Sequence, residues 1–355
     1  MSDAPDTGAL ASPSCPAPAE ADRVTLAHGA GAGASARLFE ERVWPAFANA
    51  ALGARHDGAV LAAPADGARL AVTTDSFVVR PLFFPGGDIG RLAVHGTLND
   101  LAMCGARPLA LTCALVLEEG LPLATLSRVI ASIGAAAAAA GVPVVTGDTK
   151  VVERGKGDGV YVNTTGVGAV PAGRSLLPAR VAPGDALLVS GPLAEHGAAV
   201  LSVREDVGFE GAFASDCTWL GPLVETLLEA VPSVHCLRDP TRGGLGAALH
   251  EIAAAAGAEI ELDEAALPVR EPVAAACELL GIDPLFLASE GRFAAWLPEA
   301  DAERALAVLR AHPDGAGAVR VGRVAAGRAR VVVRSRMGTR RLLVLPSGDP
   351  LPRIC

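Results

Sequence analysis

Two apolar runs in this chain each lead into an aspartate. Leu70-Ala71-Val72-Thr73-Thr74 runs into Asp75, and Val142-Pro143-Val144-Val145-Thr146 passes through Gly147 into Asp148. Their length and β-branched content predict strands, and helical patterns stand between them, so residues from about 60 to 170 read as an alternating α/β unit. On this reading the two acids lie at like ends of two strands. The turn Pro85-Gly86-Gly87-Asp88 opens a helix expected over Ile89 to Cys104. Its apolar stripe is Leu92, Leu98, Leu101 and Ala102, while His95 and Asn99 share another face with Asp100 beside them. Carboxylates from strand ends and a helix, converging in one cleft, would suit Mg²⁺, which takes oxygen ligands and often bridges to nucleotide phosphates. Each acid alone reads equally well as a turn former or helix cap.

Pro108 to Leu117 is the next apolar run, expected as a buried strand, and Leu123 to Ala140 is an Ala-rich helix ended by Gly141. Lys150 follows Thr146-Gly147-Asp148-Thr149 at the expected strand tip. A lysine there could neutralise charge on a phosphoryl group or an amide oxygen, or simply be solvated. Earlier, His28-Gly29-Ala30-Gly31-Ala32-Gly33-Ala34-Ser35 leads into a helical pattern. Such glycines can turn backbone N–H groups onto a phosphate. No strong strand precedes them and no Gly-Lys-Ser/Thr follows, so neither a Walker loop nor a dinucleotide fingerprint is satisfied, and a flexible linker is the other reading.

The pattern breaks between Pro171 and Pro183, which marks a domain boundary, as 355 residues require more than one core. Beyond it, Leu237-Arg238-Asp239 ends another strand before the turn Pro240-Thr241-Arg242-Gly243-Gly244, and Ser289-Glu290-Gly291 makes a tight turn between apolar strands. Seven scattered cysteines without CxxC spacing favour neither a disulfide framework nor a zinc site, and make the cytoplasm the expected compartment. A net charge of -9 without a basic stretch gives no footprint for nucleic acid. No apolar run of spanning length free of charge and turn formers stands out, so no membrane segment is expected. Residues 1–22 have neither a basic n-region nor an apolar h-region and read as a disordered extension.

The sequence closes on Leu351-Pro352-Arg353-Ile354-Cys355. Pro350 and Pro352 stiffen the approach to a thiol on the last residue, so the segment reads as a semi-rigid, mobile arm that could carry a covalent group, or as a frayed tail.

Taken in order, PLFFPGGDIG (81–90), GTLNDLAMCGARP (96–108), LEEGLP (117–122), VTGDTKVV (145–152), RDPTRGG (238–244), SEG (289–291) and PLPRIC (350–355) resemble the HypE family of hydrogenase maturation factors, after about residue 23. The internal acids belong to the wider AIR-synthetase-like, PurM-like ATP-using enzymes, whereas the PRIC ending marks this branch. One departure is Ala30, where family members commonly carry serine, so no hydroxyl role is assigned there.

The resemblance implies a two-domain α/β fold. An ATP-binding, dimerising domain over 23–175 pools its strands with a second copy into a barrel-like core, and an AIR-synthetase-like domain over 176–335 precedes a mobile tail over 336–355. It also implies that a HypF carbamoyltransferase loads Cys355 with a carbamoyl group. ATP then drives dehydration to a thiocyanate, and the cyanide passes to iron on a HypC–HypD scaffold. Asp75, Asp100, Asp148 and Asp239 are the expected Mg²⁺ or phosphate ligands. Asp88, Asn99, Thr149 and the Gly29, Gly31 and Gly33 backbone are expected around the nucleotide. Glu290 is the candidate base and Lys150 the candidate stabiliser of the phosphorylated oxygen, roles that could be exchanged. A small-molecule kinase or synthetase would need the acids but not Cys355; a pure carrier would need Cys355 but not the acids.

Overall fold

The structure, a computed structural model, describes residues 22–29, 33–53, 59, 61, 63–204, 213–346 and 353–355. Gly31 and nearly all of the expected N-terminal extension lie outside the described residues.

The N-terminal half is built on β1 (Arg69–Phe77), α1 (Ile89–Met103), β2 (Arg107–Glu118), α2 (Leu123–Ala140), β3 (Val144–Val152) and β4 (Val160–Val170). The strands form one sheet in the order β1-β4-β2-β3, antiparallel except for the β2–β3 pair. Burial along β4 alternates strictly, so one face of the sheet packs on helices and the other is open. Within the chain this sheet stays open and closes into no barrel. Leu70 and Val72 on the open face are 61% and 67% exposed.

α1 lies on the covered face and is buried nearly all round, because the second half of the chain packs against its other side. Ala102 and Met103 reach into a core built from the C-terminal half. α2 packs beside α1 through Leu126, Val129, Ile130 and Ile133, and Gly141 caps it at φ +69° with its N–H shared between the Ala137 and Ala138 carbonyls. By length and composition α2 could cross a membrane, but it carries Arg128 and Gly134 and its apolar face is committed to the core.

The C-terminal half supplies β5 (Asp185–Val189), α3 (Glu195–Arg204), α4 (Gly221–Ala230), β6 (Cys236–Arg238), α5 (Gly244–Ala256), β7 (Glu259–Asp263), α6 (Glu271–Leu280), β8 (Ala294–Pro298), α7 (Ala302–Ala311), β9 (Val319–Ala325), β10 (Arg330–Arg334) and β11 (Arg340–Leu342). Seven strands make a second sheet in the order β11-β10-β7-β9-β5-β8-β6. The expected tail therefore starts too early: Arg340–Leu342 is an edge strand paired with β10.

The larger correction concerns the chain end. Ile354 and Cys355 are 4% and 6% exposed and belong to the core shared by α1, β1 and α3. The last three residues run antiparallel to the chain after β1, with Val78 N–H donating to the terminal carboxylate of Cys355 (3.2 Å) and Arg80 N–H to the Arg353 carbonyl (3.3 Å).

Candidate active site between the two sheets

The docked thiol looks into a cleft lined by acids from both halves. β1 carries Asp75 in mid-strand, with Ser76 N–H donating to its carboxylate at 2.8 Å. α1 carries Asp100, held by the Thr73 hydroxyl at 2.7 Å. The loop after β6 carries Asp239, and the turn before β8 carries Glu290. Glu290 is aimed by two close approaches: its N–H donates to Asp216 Oδ1 at 3.0 Å, and a Cβ on Gly291 would fall 1.8 Å from the Asp216 carbonyl oxygen.

Burial and mutual repulsion govern the electrostatics. Burial first, then the charge of Asp100, pushes Asp239 up to about 7. Glu290 is raised well above the ordinary carboxylate range by burial, then by Asp239, Asp216, Asp75 and Asp100. Asp75 and Asp100 are raised as well, chiefly by burial. Glu290 Oε1 is buried without a hydrogen-bond partner. Arg242 Nη2 donates to Cys355 Sγ at 3.7 Å. Burial and the charge of Glu290 still push the thiol up to about 12, so the docked sulfur is a neutral thiol.

An all-oxygen donor set of mutually repelling carboxylates, with one orphaned oxygen among them, fits a hard divalent cation and a polyphosphate. Among the described residues no three acids already stand as a closed cage.

Other expected residues do different things. Asn99 is fully engaged: Nδ2 donates to the Thr218 and Glu290 carbonyls (3.0 and 3.1 Å), and Oδ1 accepts from Leu220 N–H at 2.8 Å. It ties α1 to the turn that carries Glu290 and to the 218–220 segment. Asp88 is the N-cap of α1, accepting from Gly90 and Arg91 N–H, and its other oxygen accepts from the Ser132 hydroxyl.

Asp148 and Lys150 are not in this cleft. They sit in mid-β3, on the far edge of the sheet, three strands and about 14 Å from β1. Their register rows, Asp148 with Ala114 and Asn163, and Lys150 with Val116 and Tyr161, belong to the open face, whereas Asp75 pairs with buried Thr164. They form an exposed ion pair at 2.9 Å. With Thr149, Gly29, His28, Ser35 and Phe39 they line a separate cavity of about 460 Å³ around the β3 edge. Gly29 lies tight on β3, since a Cβ there would meet Val151 N at 2.7 Å, and Gly33 begins the short helix Gly33–Leu38.

The sequence reading gave no role to Arg242, although it stands in the RDPTRGG stretch, and none to Thr73 or His196. His196 is completely buried, with Nε2 2.8 Å from the Ile354 carbonyl.

Family models agree with the two halves: AIR synthase related protein, N-terminal domain, matches residues 55–170, and its C-terminal domain matches 182–334. A curated relative from Cupriavidus necator, named carbamoyl dehydratase HypE, is 53% identical over 334 residues, covering 94% of this chain and 95% of its own length. The chain belongs to the HypE family. A solved HypE structure in complex with ATP superposes with a TM-score of 0.89 at 47% identity, covering 93% of this chain and 99% of that one. A chain of a HypE–HypF complex gives 0.76 at 43% identity, covering 87% and 99%. In this HypE chain the docked ending faces the acid cluster, and the cavity at the β3 edge is separate from both.

Proposed function

We propose that the protein is an ATP-dependent carbamoyl dehydratase acting on its own Cys355 in [NiFe]-hydrogenase maturation. The observation that carries this reading is the Cys355 thiol docked beside Arg242 in a cleft containing the orphaned Glu290 carboxylate. A free-substrate kinase would leave that docking without a purpose, and a pure carrier would not need the buried acids.

The substrate is the S-carbamoyl thioester of Cys355, loaded by a HypF carbamoyltransferase. Its oxygen takes the γ-phosphoryl group of ATP, breaking the β–γ bridge and releasing ADP. One N–H proton leaves as the imidate forms. Cleavage of the C–O bond then expels phosphate, the second N–H proton leaves, and the thiocyanate remains on sulfur for transfer of cyanide to iron on a HypC–HypD scaffold. Glu290 is the base at nitrogen, where its raised proton affinity helps. Arg242 holds the sulfur end. Asp75, Asp100 and Asp239 would hold Mg²⁺, which supplies charge neutralisation on the phosphates.

Lys150 and Asp148 lie too far away within one chain, so they reach the cleft of a second copy. In this reading a homodimer forms through the open sheet face, with the β3 edge of one protomer brought to the acid cleft of its partner. The exposed Leu70 and Val72 support such packing. The site of action is the cytoplasm.

Intact mass measurement tests the proposal. The carbamoylated chain should lose the mass of one water only when ATP and Mg²⁺ are both supplied, and loss of carbamate regenerating free thiol would refute it.

A further inference from the structure

The geometry points to a receptor for the chain end that reads backbone and ignores the sulfur. The carbonyls of Arg353 and Ile354 and the terminal carboxylate of Cys355 are all held. Arg353 O accepts from Arg80 N–H (3.3 Å) and from Arg204 Nη2 (2.6 Å), Ile354 O from His196 Nε2 (2.8 Å), and Cys355 O from Val78 N–H (3.2 Å). The Arg353 side chain returns a bond to Val78 O and pairs with Asp158. The sulfur has one weak contact, with Arg242.

His196 is built for this task. A carbonyl oxygen can only accept, so Nε2 carries the proton, which makes Nδ1 the acceptor of the Ser215 hydroxyl at 2.8 Å. Ser215 in turn accepts from Cys217 N–H, and its own N–H donates to Pro85 O at 2.8 Å. Gly86, at φ +84°, permits that approach, since a Cβ would lie 2.6 Å from Ser215 N. Phe84 packs edge-on against the imidazole at 5.2 Å. Removing the chain end would strand a buried N–H, so the pocket is incomplete without a peptide carbonyl. Arg353 itself sits at φ +61°, a left-handed conformation that persists only where surrounding contacts hold it.

The ligand class is therefore an extended peptide end, bound alike whether its sulfur carries hydrogen, carbamoyl or cyanide. What the sulfur carries rests on the dehydratase reading; the docking does not. A free thiol occupies the cleft as well as the substrate does, so selection between them falls to the chemistry.

Carboxypeptidase trimming of the full chain, followed by intact mass and normalised to free peptides of the same ending, tests this without ATP or partner. His196→Phe should raise trimming about tenfold, as expected for losing one buried hydrogen bond, while His196→Gln, which keeps a donor, stays within about threefold of wild type. Cys355→Ala should be protected like wild type. Loss of protection in Cys355→Ala equal to that in His196→Phe would overturn the proposal, as would full protection in His196→Phe. Should His196→Phe fail to fold, Arg204→Met, which removes the bond to Arg353 O, gives the same two outcomes.

Discussion

Arg242 holds its guanidinium 3.7 Å from the sulfur of Cys355, its Nη2 donating to the thiol of a residue 113 positions away. Among the described residues that act on this sulfur, Arg242 favours negative charge there, whereas Glu290 and Asp75 oppose it. Replacing it with glutamine should slow ATP-dependent conversion of carbamoylated Cys355 by about 10²-fold, the usual effect of removing one preorganised donor. Single-turnover mass measurement reads this directly, and a rate within threefold of wild type would remove Arg242 from the chemistry.

Asp239 gives a pH signature. Its folded-state affinity for protons, about 7, lies above its unfolded value of 3.8, so the folded state binds more protons between those limits. Stability is then fully present at low pH and declines as pH rises toward 7, by at most about 1.4 kcal/mol per pH unit. Asp239→Asn should flatten this slope in thermal scans between pH 5 and 8. Mg²⁺ should raise Tm more at pH 8 than at pH 5.

Asn99 separates a structural role from a ligand role. Asn99→Ala strands the Leu220 N–H and two carbonyls in buried surroundings and should lower unfolding free energy by about 3 kcal/mol in urea titrations. Undiminished stability with lost ATP binding would favour the nucleotide role expected from sequence.

Lys150 tests the dimer. If it serves the cleft of the partner, Lys150→Ala and Glu290→Gln should each be inactive, yet mixed subunits should recover about a quarter of the wild-type rate, since half the dimers carry one intact site of two. Val72→Asp, on the open face, should abolish both the recovery and the dimer in sedimentation.

Part of the arrangement was legible because motif acids fix it: Asp75, Asp100, Asp239 and Glu290, expected in one place from the sequence, act on one another's charge in the structure. Asp148 and Lys150 were expected at a strand tip because an acid after an apolar run reads as a strand end, whereas β1 continues to Phe77 and β3 to Val152. Strand order, which inserts β4 and β2 between them, is not written in either segment. Asp88 was a cap that a turn followed by a helix already announced. The buried chain end was missed for a different reason: its partners are the backbone N–H groups of Val78 and Arg80 and a histidine 158 residues away, and no side-chain pattern encodes such bonds.

The amide of Asn99 has a mechanical consequence. It ties the glutamate turn and the 218–220 segment to a helix buried nearly all round, so the two halves of the cleft cannot part without breaking its three hydrogen bonds. An enzyme that admits its substrate by hinging would have to overcome that resistance every cycle. On the self-acting reading proposed above, fixed jaws would leave passage through the cleft to the chain's own end.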